Sequence, residues 1–431
     1  MELYIGLVLI SIFMILFIYI KLRYPFWNMQ PVFHSYDFWR YFINIPFIIQ
    51  NGIPIKTKYV DTKVNTRTFL DISEKDVSKL TDLLQCYYIS SDKMLTLTNA
   101  SDIRIELTGQ SHPSFVSFYE DYSYQKSENQ YGEMDVLHTK QNPRDSMNTI
   151  ITTINQIGCM TSRAIRLFII DKNKEMHPFY AYYWDHICLH RDFQEKHLTR
   201  NIIQSHERYQ RIYNPDVSIS LFKKEIHLCE GIVPVVKYSF YTFELNKIKS
   251  PPLDKQFYIT RIVQENSDLL SDLLYGIVHK ETNNDQFGFC AFPEINVLDN
   301  LIKNNLMYIY VLRKHKHPYA YFFFRNTRTS YDTVEEGNVL ECIGSIMNMQ
   351  GNVQETQSTF FAAFLAALFD IQENIQTTFK FLVLNEISHN HILLERWKWK
   401  YPPIFVNDAA YYLYNAVCPR MTEPKRCLIL I

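Results

Sequence analysis

The run from Tyr411 to Ile431 constrains the fold more than any other part of the chain. Tyr411-Tyr412-Leu413-Tyr414-Asn415-Ala416-Val417-Cys418-Pro419 and Lys425-Arg426-Cys427-Leu428-Ile429-Leu430-Ile431 are apolar and dominated by β-favouring residues. Chain termini are ordinarily polar and frayed. A terminus of this composition is expected inside the fold, carrying the carboxylate of Ile431 with it. The residues alone read as a final strand that closes a sheet and does no chemistry.

At 431 residues the chain can bury a large core, and its length favours two or three domains. Apolar residues at 47% and charged residues at 21% describe a globular protein. Only 11 Gly stand against 30 Tyr and 30 Phe, which argues against Gly-rich phosphate loops as a main device. The net charge of −1 gives no basic surface for a nucleic-acid partner. Eight Cys are scattered with no C-x-x-C pair, so neither a zinc site nor a disulfide framework is expected, and a reducing compartment is favoured. His389 and His391 read as polar surface, and no metal is assigned.

Leu3 to Ile20 carries no charge over 18 residues. As a helix it would span about 27 Å, close to the roughly 30 Å hydrocarbon core of a bilayer. Tyr4, Tyr19, Tyr24 and Trp27 would lie near the two interfaces. A cleaved signal peptide fits less well, because the stretch lacks a basic leader and an A-x-A-like site. Lys21 and Arg23 follow the apolar run and only Glu2 precedes it as a charged side chain, which places the body in the cytosol. The sequence therefore predicts a transmembrane anchor over residues 1–23 and a single-pass membrane protein. The sequon Asn99-Ala100-Ser101 would be used only in the opposite topology.

Asp76 to Tyr88 has apolar residues at helical spacing, and Gln125 to Ser146 reads as an exposed polar insertion. Ile165 to Ile170 and Phe179 to Leu189 read as strands about the turn Asp171-Lys172-Asn173-Lys174, followed by a helix from Leu198 to Tyr209. A composition break at Lys247 to Pro252 divides the chain. Beyond it come a helix near 260–280, strands near 307–312 and 319–325, a helix near 356–371, a strand at 379–385 and a helix at 389–398. The class is α/β (α+β), and no short repeat is visible.

Several of these segments resemble one family in its own order. Tyr24-Pro25-Phe26-Trp27-Asn28-Met29-Gln30-Pro31-Val32 resembles F-W-x-T-Q-P-V, with Met29 at the Thr position. Asp185 to Thr199 (DHICLHRDFQEKHLT) is similar to the stretch E-I-N-F-L-C-V-H-K-K-L-R-S-K-R-[LV]-A, with Cys188, the His190 position and the basic position 191 in register. In Phe379 to Trp399, Glu386 and Asn390 fall at an Asp and an Asn of the family pattern. The ending resembles YYLYN-x-x-C-P-x-M…K…L-x-L. The family is glycylpeptide N-tetradecanoyltransferase, the protein N-myristoyltransferases, and the resemblance runs in patches from Tyr24 to Ile431.

It implies two tandem acetyltransferase-like (GNAT/N-myristoyltransferase) domains. Residues 24–247 would be the acyl-CoA-binding half, and residues 248–431 the half with the acceptor site and the catalytic C-terminus. A strand that stops pairing at a bulge frees N–H groups to face a thioester carbonyl; by the resemblance these are the amides of His186 and Ile187. Coenzyme A would lie against Tyr24, Phe26, Trp27, Cys188 and Leu189. Its pyrophosphate would meet the loop Gln194, Glu195, Lys196, His197, Leu198 and Thr199, where acetyltransferases carry Q/R-x-x-G-x-G/A. Tyr88, Tyr412 and Asn415 would meet the acceptor, and the Ile431 carboxylate would be the base. No permanently bound cofactor is implied; tetradecanoyl-CoA is the co-substrate and an N-terminal glycine the acceptor.

The chain departs from the family on the acceptor side. Tyr401-Pro402-Pro403-Ile404-Phe405-Val406-Asn407-Asp408 stands where F-G-x-G-D-G is usual, Lys237 to Phe243 replaces R-Y-W-H-R-S-L-N, and Ile89-Ser90-Ser91-Asp92 replaces an acidic loop. The alternatives are thus a non-catalytic membrane protein that keeps the fold as a structural, peptide-binding or acyl-binding module, and another acyl-CoA N-acyltransferase. Richness in Ile, Asn, Lys and Tyr fits an AT-rich, viral genome.

Overall fold

The computed structural model describes all residues except 1, 90–93, 127–149, 172, 280–286, 316, 332–336, 349–352 and 419. The side chains of 2–3, 6–9, 94, 122–126, 150–154, 194–196 and 278–279 are also outside the description. Most of the expected polar insertion and of the loop at 89–92 therefore lies outside the described residues.

The helices are α1 (Glu2–Arg23), α2 (Glu74–Tyr87), α3 (Ala100–Leu107), α4 (Thr199–Tyr213), α5 (Asp268–His279), α6 (Ile295–Lys303), α7 (Val353–Asn374) and α8 (Asn390–Lys400). The strands of the first half are β1 (Phe47–Ile48), β2 (Val64–Thr68), β3 (Met94–Thr96), β4 (Phe115–Lys126), β5 (Ile150–Ile170), β6 (Met176–Leu189), β7 (Ile219–Glu225) and β8 (Val236–Glu244). Those of the second half are β9 (Phe257–Arg261), β10 (Phe289–Phe292), β11 (Met307–Lys314), β12 (His317–Tyr331), β13 (Gly337–Met347), β14 (Phe379–Asn385), β15 (Phe405–Tyr414), β16 (Ala416–Val417) and β17 (Cys427–Ile429). The expected helices and strands are present, most within a few residues of their expected ends; β5, expected from Ile165, begins at Ile150, and the helix expected near 260–280 begins at Asp268, after the strand Phe257–Arg261. α2 begins before Asp76 because Ser73 caps it, its hydroxyl accepting the Asp76 amide at 3.2 Å while Asp76 returns a bond to the Ser73 amide.

A single mixed sheet runs through the molecule in the order β17-β10-β5-β6-β7-β15-β8-β14-β13-β12-β11-β9. Each half builds the same unit. β4, β5 and β6 are antiparallel, α4 crosses over, and β7 returns parallel to β6. β11, β12 and β13 are antiparallel, α7 crosses over, and β14 returns parallel to β13. The halves then interleave: β15 pairs with both β7 and β8, and β8 pairs with β14. This duplication leaves no sequence repeat, because a sheet face needs only apolar side chains at alternate positions and not particular ones.

The apolar terminus is buried as its composition required. β17 lies parallel to β10, and Ile431 is 6% exposed. Side chains alternate between two cores: Leu428 and Leu430 join Phe323 and Ile343, while Ile429 and Ile431 join Ile165, Tyr183 and Tyr411.

The amino-terminal expectation fares differently. α1 is helical, and its described apolar side chains, such as Ile10, Phe13 and Ile15, are exposed. Among the described residues no helix is long and apolar enough to cross a membrane, so the expected span over Leu3 to Ile20 is not found. The side chains of residues 6–9 within that run are outside the description. Tyr24 and Trp27, expected at lipid interfaces, instead fold onto the body. The Tyr24 ring would lie 3.0 Å from a Cβ at Gly231, and Trp27 stacks on Phe222.

Candidate functional site

β6 and β7 pair only from Ala181↔Ile219 to Trp184↔Phe222 and then part. β6 continues along β5 to Leu189, while β7 stays with β15 to Glu225. The gap holds a cavity of about 440 Å³ with Trp27, Met160, Trp184, Ile187, Ile203 and Phe222 in its walls. Phe222 is the centre of an aromatic stack, 5.6 Å from Trp27, 5.8 Å from Trp184 and 5.3 Å from Tyr412. Arg200, Lys223 and Lys224 also border it. Apolar walls with a cationic border suit an amphiphile that has an apolar chain and an anionic head.

The matching gap in the second half is filled. Pairing of β13 with β14 ends at Cys342↔Leu384. Asn390, at the start of α8, donates to the carbonyls of Cys342 (3.0 Å) and Asn385 (2.8 Å) and accepts from the Ser345 hydroxyl (2.6 Å). Ser388 Oγ accepts the Ser345 amide at 2.9 Å, and His389 Nδ1 accepts the Met347 amide at 3.2 Å. Burial, with some help from His391, holds the His389 pKa down at about 4, so the ring is a neutral acceptor. His391 spends its Nδ1 on the Ser388 carbonyl at 2.9 Å. One duplicated gap is thus open and the other is sealed by side chains.

At the open gap the β5–β6 register slips between Cys159↔Cys188 and Thr161↔Asp185, so His186 and Ile187 together face Met160. This is the expected bulge, at the expected residues. His186 sits at φ +52, the left-handed region that costs a residue with a Cβ about 1–2 kcal/mol. Its surroundings hold it there. Nδ1 lies 2.9 Å from Thr161 Oγ1, Nε2 lies 4.0 Å from Glu106 Oε2, and the ring meets Tyr88 edge-on. Its amide donates to Asp185 Oδ1 at 2.8 Å.

Asp185 belongs to a charged network that the sequence reading missed. Oδ1 also accepts the Tyr88 hydroxyl at 2.9 Å, and Oδ2 accepts Arg163 at 3.2 Å. Arg163, with its side chain 4% exposed, also donates to Glu106 at 3.1 Å, and Arg325 donates to Glu106 at 2.7 Å. Burial would raise both acids, but His186, Arg163 and Arg325 outweigh it and hold the Asp185 carboxyl well below the usual range; Arg325 and Arg163 do the same for Glu106. Glu106, Asp185 and His186 bring ligand atoms within 4.8 Å of one another, as a metal would need. Two guanidiniums already satisfy the carboxylates, so the set is an ion-pair network. The available signal was Arg163, a charge inside the apolar strand run Ile157 to Ile170, and Asp185 at a position the family fills with Asn.

Of the residues named from sequence, Tyr24, Phe26, Trp27, Ile187 and Thr199 border the cavity. Cys188 faces the other way, under α2, with Sγ 3.2 Å from Cys159 Sγ and 3.7 Å from the Leu83 carbonyl. Leu189 and Leu198 pack in the core beside Ile202. The side chains of Gln194, Glu195 and Lys196 are outside the description. His197 adopts φ +56, a left-handed conformation taken here without glycine. Tyr412 backs Phe222 and accepts the Cys229 amide at 3.1 Å. Asn415 ties chain segments together, donating to the carbonyls of Gln50 and Ser218 at 2.9 Å each. Ile431 ends in the buried cluster that also holds Ile165 and Tyr183, and it is not among the residues that border the cavity.

No family model and no curated protein matches the sequence. Solved structures do match the fold. N-myristoyltransferase of Saccharomyces cerevisiae with bound myristoyl-CoA aligns at a TM-score of 0.62 over 93% of each chain. A second structure of that yeast enzyme with myristoyl-CoA aligns at 0.64 over 93% of this chain and 88% of the other. Sequence identity is 12% in both. The chain has the N-myristoyltransferase fold. At this identity the likeness is one of architecture, and residue roles rest on the local geometry.

Proposed function

We propose that the protein is an acyl-CoA-dependent acyltransferase that moves a tetradecanoyl group to the N-terminal glycine amine of a protein or peptide. The observation that carries this reading is the open gap between β6 and β7, apolar inside and cationic at its border, in a fold otherwise seen holding myristoyl-CoA. The acyl chain lies among Trp27, Trp184 and Phe222, and the thioester carbonyl faces the bulge at His186 and Ile187. The glycine ammonium, with a free pKa of about 7.7–8.0, gives a proton to the Ile431 carboxylate. The amine nitrogen then bonds to the carbonyl carbon, the C–S bond breaks, and the second amine proton passes to the departing sulfur, so that coenzyme A leaves as the thiol. Main-chain donors hold the oxyanion.

Titration of the full chain with tetradecanoyl-CoA and with acetyl-CoA tests the reading. Tight binding selective for the long chain, followed by turnover on glycine-terminated peptides, supports it. Equal affinity for both points to a short-chain transferase, and no binding removes the acyltransferase reading. A non-catalytic acyl-binding module is the second reading. It is favoured by Asp185, whose carboxylate occupies the His186 amide, and long-chain binding without turnover on any amine would select it.

We further infer that the protein works at a membrane, with its body cytosolic. The support is the exposed apolar surface of α1, the basic Lys21 and Arg23 in its last turn, and the segment 38–45, where Phe38, Trp39 and Phe42 are solvent-exposed. Protease protection of the body in intact membrane vesicles, or recovery of the full chain in the soluble fraction, would overturn this placement.

A further inference from the structure

We propose that Asp185 is a gate on the oxyanion site, holding the His186 N–H until a primary ammonium acceptor draws its carboxylate away. The inference rests on the acyltransferase reading and adds to it a control on when the thioester can react.

The geometry supplies the closed state. His186 has one amide hydrogen, and it points at Asp185 Oδ1 at 2.8 Å. A thioester oxygen that becomes an oxyanion would meet an occupied donor and a like charge beside it. Both effects oppose reaction, because an oxyanion site works only when preorganised donors face the developing charge. A permanently open hole would also favour hydrolysis of the thioester wherever water reaches it.

The network also permits release. Asp185 is held by Tyr88, which is 37% exposed, and by Arg163. When Asp185 moves, Arg163 keeps Glu106 at 3.1 Å, and Glu106 keeps Arg325 at 2.7 Å. Neither guanidinium is left without a carboxylate, which makes the displaced state accessible. A cation attracts the carboxylate; a neutral alcohol, thiol or water does not. The acceptor class that opens the gate is therefore a primary amine arriving as ammonium. Its ammonium pairs with Asp185, the His186 N–H turns to the thioester oxygen, and the proton then passes to the Ile431 carboxylate. The nitrogen bonds to the carbonyl carbon as the C–S bond breaks, and coenzyme A leaves as the thiol, taking the second amine proton.

The test is acceptor-free release of coenzyme A from tetradecanoyl-CoA by the full chain, read by a thiol reagent. In this side reaction water oxygen bonds to the carbonyl carbon, the C–S bond breaks, and tetradecanoate and coenzyme A form. Asp185→Ala uncovers the amide and should raise acceptor-free release by about tenfold or more, on the scale of one oxyanion donor. Asp185→Asn keeps an oxygen that can accept the amide but has no charge to pair with an ammonium, and should lose most stimulation by a glycine peptide. Tyr88→Phe removes only the hydroxyl that steadies Asp185 and should raise release a few-fold, which serves if Asp185→Ala does not fold. A gain in rate is not what structural damage produces. Unchanged release in Asp185→Ala and Tyr88→Phe that still bind tetradecanoyl-CoA overturns the gate and leaves the acyltransferase reading standing. Failure of the wild type to bind tetradecanoyl-CoA removes that reading and the gate with it.

Discussion

Replacing Glu207 by Gln should make the protein more stable above neutral pH and leave it unchanged below pH 5. α4 borders the cavity through Arg200 and Ile203, and its next two turns are polar yet buried: Gln204, Ser205, His206, Glu207, Gln210 and Arg211. Glu207 has a fully buried side chain, with Oε1 3.6 Å from Arg211 and Oε2 accepting from Ser220 at 3.4 Å. Burial outweighs Arg211 and Ser220 and lifts its pKa from 4.5 to about 7. The folded state therefore holds this proton more tightly than the unfolded chain. Its contribution is complete below pH 4.5 and is lost as pH rises through about 7. The shift is 7 − 4.5, or about 2.5 units, and at about 1.36 kcal/mol per unit it amounts to roughly 3 kcal/mol.

The substituted amide copies the protonated acid without the titration. Urea unfolding followed by circular dichroism at pH 5, 6, 7 and 8 gives the comparison, because groups common to both proteins cancel in the difference. Glu207→Gln should match wild type within about 1 kcal/mol at pH 5 and exceed it by roughly 2–3 kcal/mol at pH 8. His206 does not intrude, since burial pushes its pKa down to about 3 and it stays neutral across this range. Parallel stability profiles for the two proteins, or a variant weaker at every pH, would refute the reasoning. Either would mean that the carboxylate is charged throughout and that its pairing with Arg211 is favourable.

Three further outcomes follow from the site. Phe222→Ala removes the centre of the aromatic stack and should weaken tetradecanoyl-CoA binding by about 10- to 100-fold, as read by calorimetry, with a smaller effect on acetyl-CoA. Adding one glycine after Ile431 moves the carboxylate out of a position that is 6% exposed; transfer to a glycine peptide should fall about a hundredfold or more, and equal transfer rates would exclude the terminal carboxylate as base. Gly158→Ala places a Cβ 2.8 Å from Leu189 Cδ1 and 3.0 Å from the Cys188 carbonyl, beside the bulge, and should cost about 1–3 kcal/mol in a denaturant titration.

Elements with a strong local signal were legible in the sequence. α2, α4, α7, β14 and α8 lie close to their expected positions, because helical spacing and apolar runs act over a few residues. The bulge at His186 and Ile187 was also legible, through resemblance, and the structure places it there. Tyr24, Phe26 and Trp27, expected against coenzyme A, border the cavity, yet Phe222, the residue at the centre of its aromatic stack, reads in the sequence as one more apolar residue of a strand. The resemblance puts Cys188 against coenzyme A as well, and the structure turns its thiol under α2. Side chains in a strand alternate in direction, and a bulge shifts that alternation, so adjacency in sequence does not settle which face a residue serves.

The sequence by itself determined that the chain is globular and α/β and that its apolar terminus must be buried. Composition and short-range periodicity control those properties, and each is settled by the free energy of taking apolar surface out of water. Only the tertiary structure decided that two like units share one sheet, and that one of their gaps stays open while Asn390 and Ser388 seal the other. It alone decided that Glu106, Arg163, Asp185 and Arg325 meet. These four residues come from one helix and three strands, up to 219 positions apart in the chain. Their charges are compatible with burial only because the folded backbone brings each to its partner.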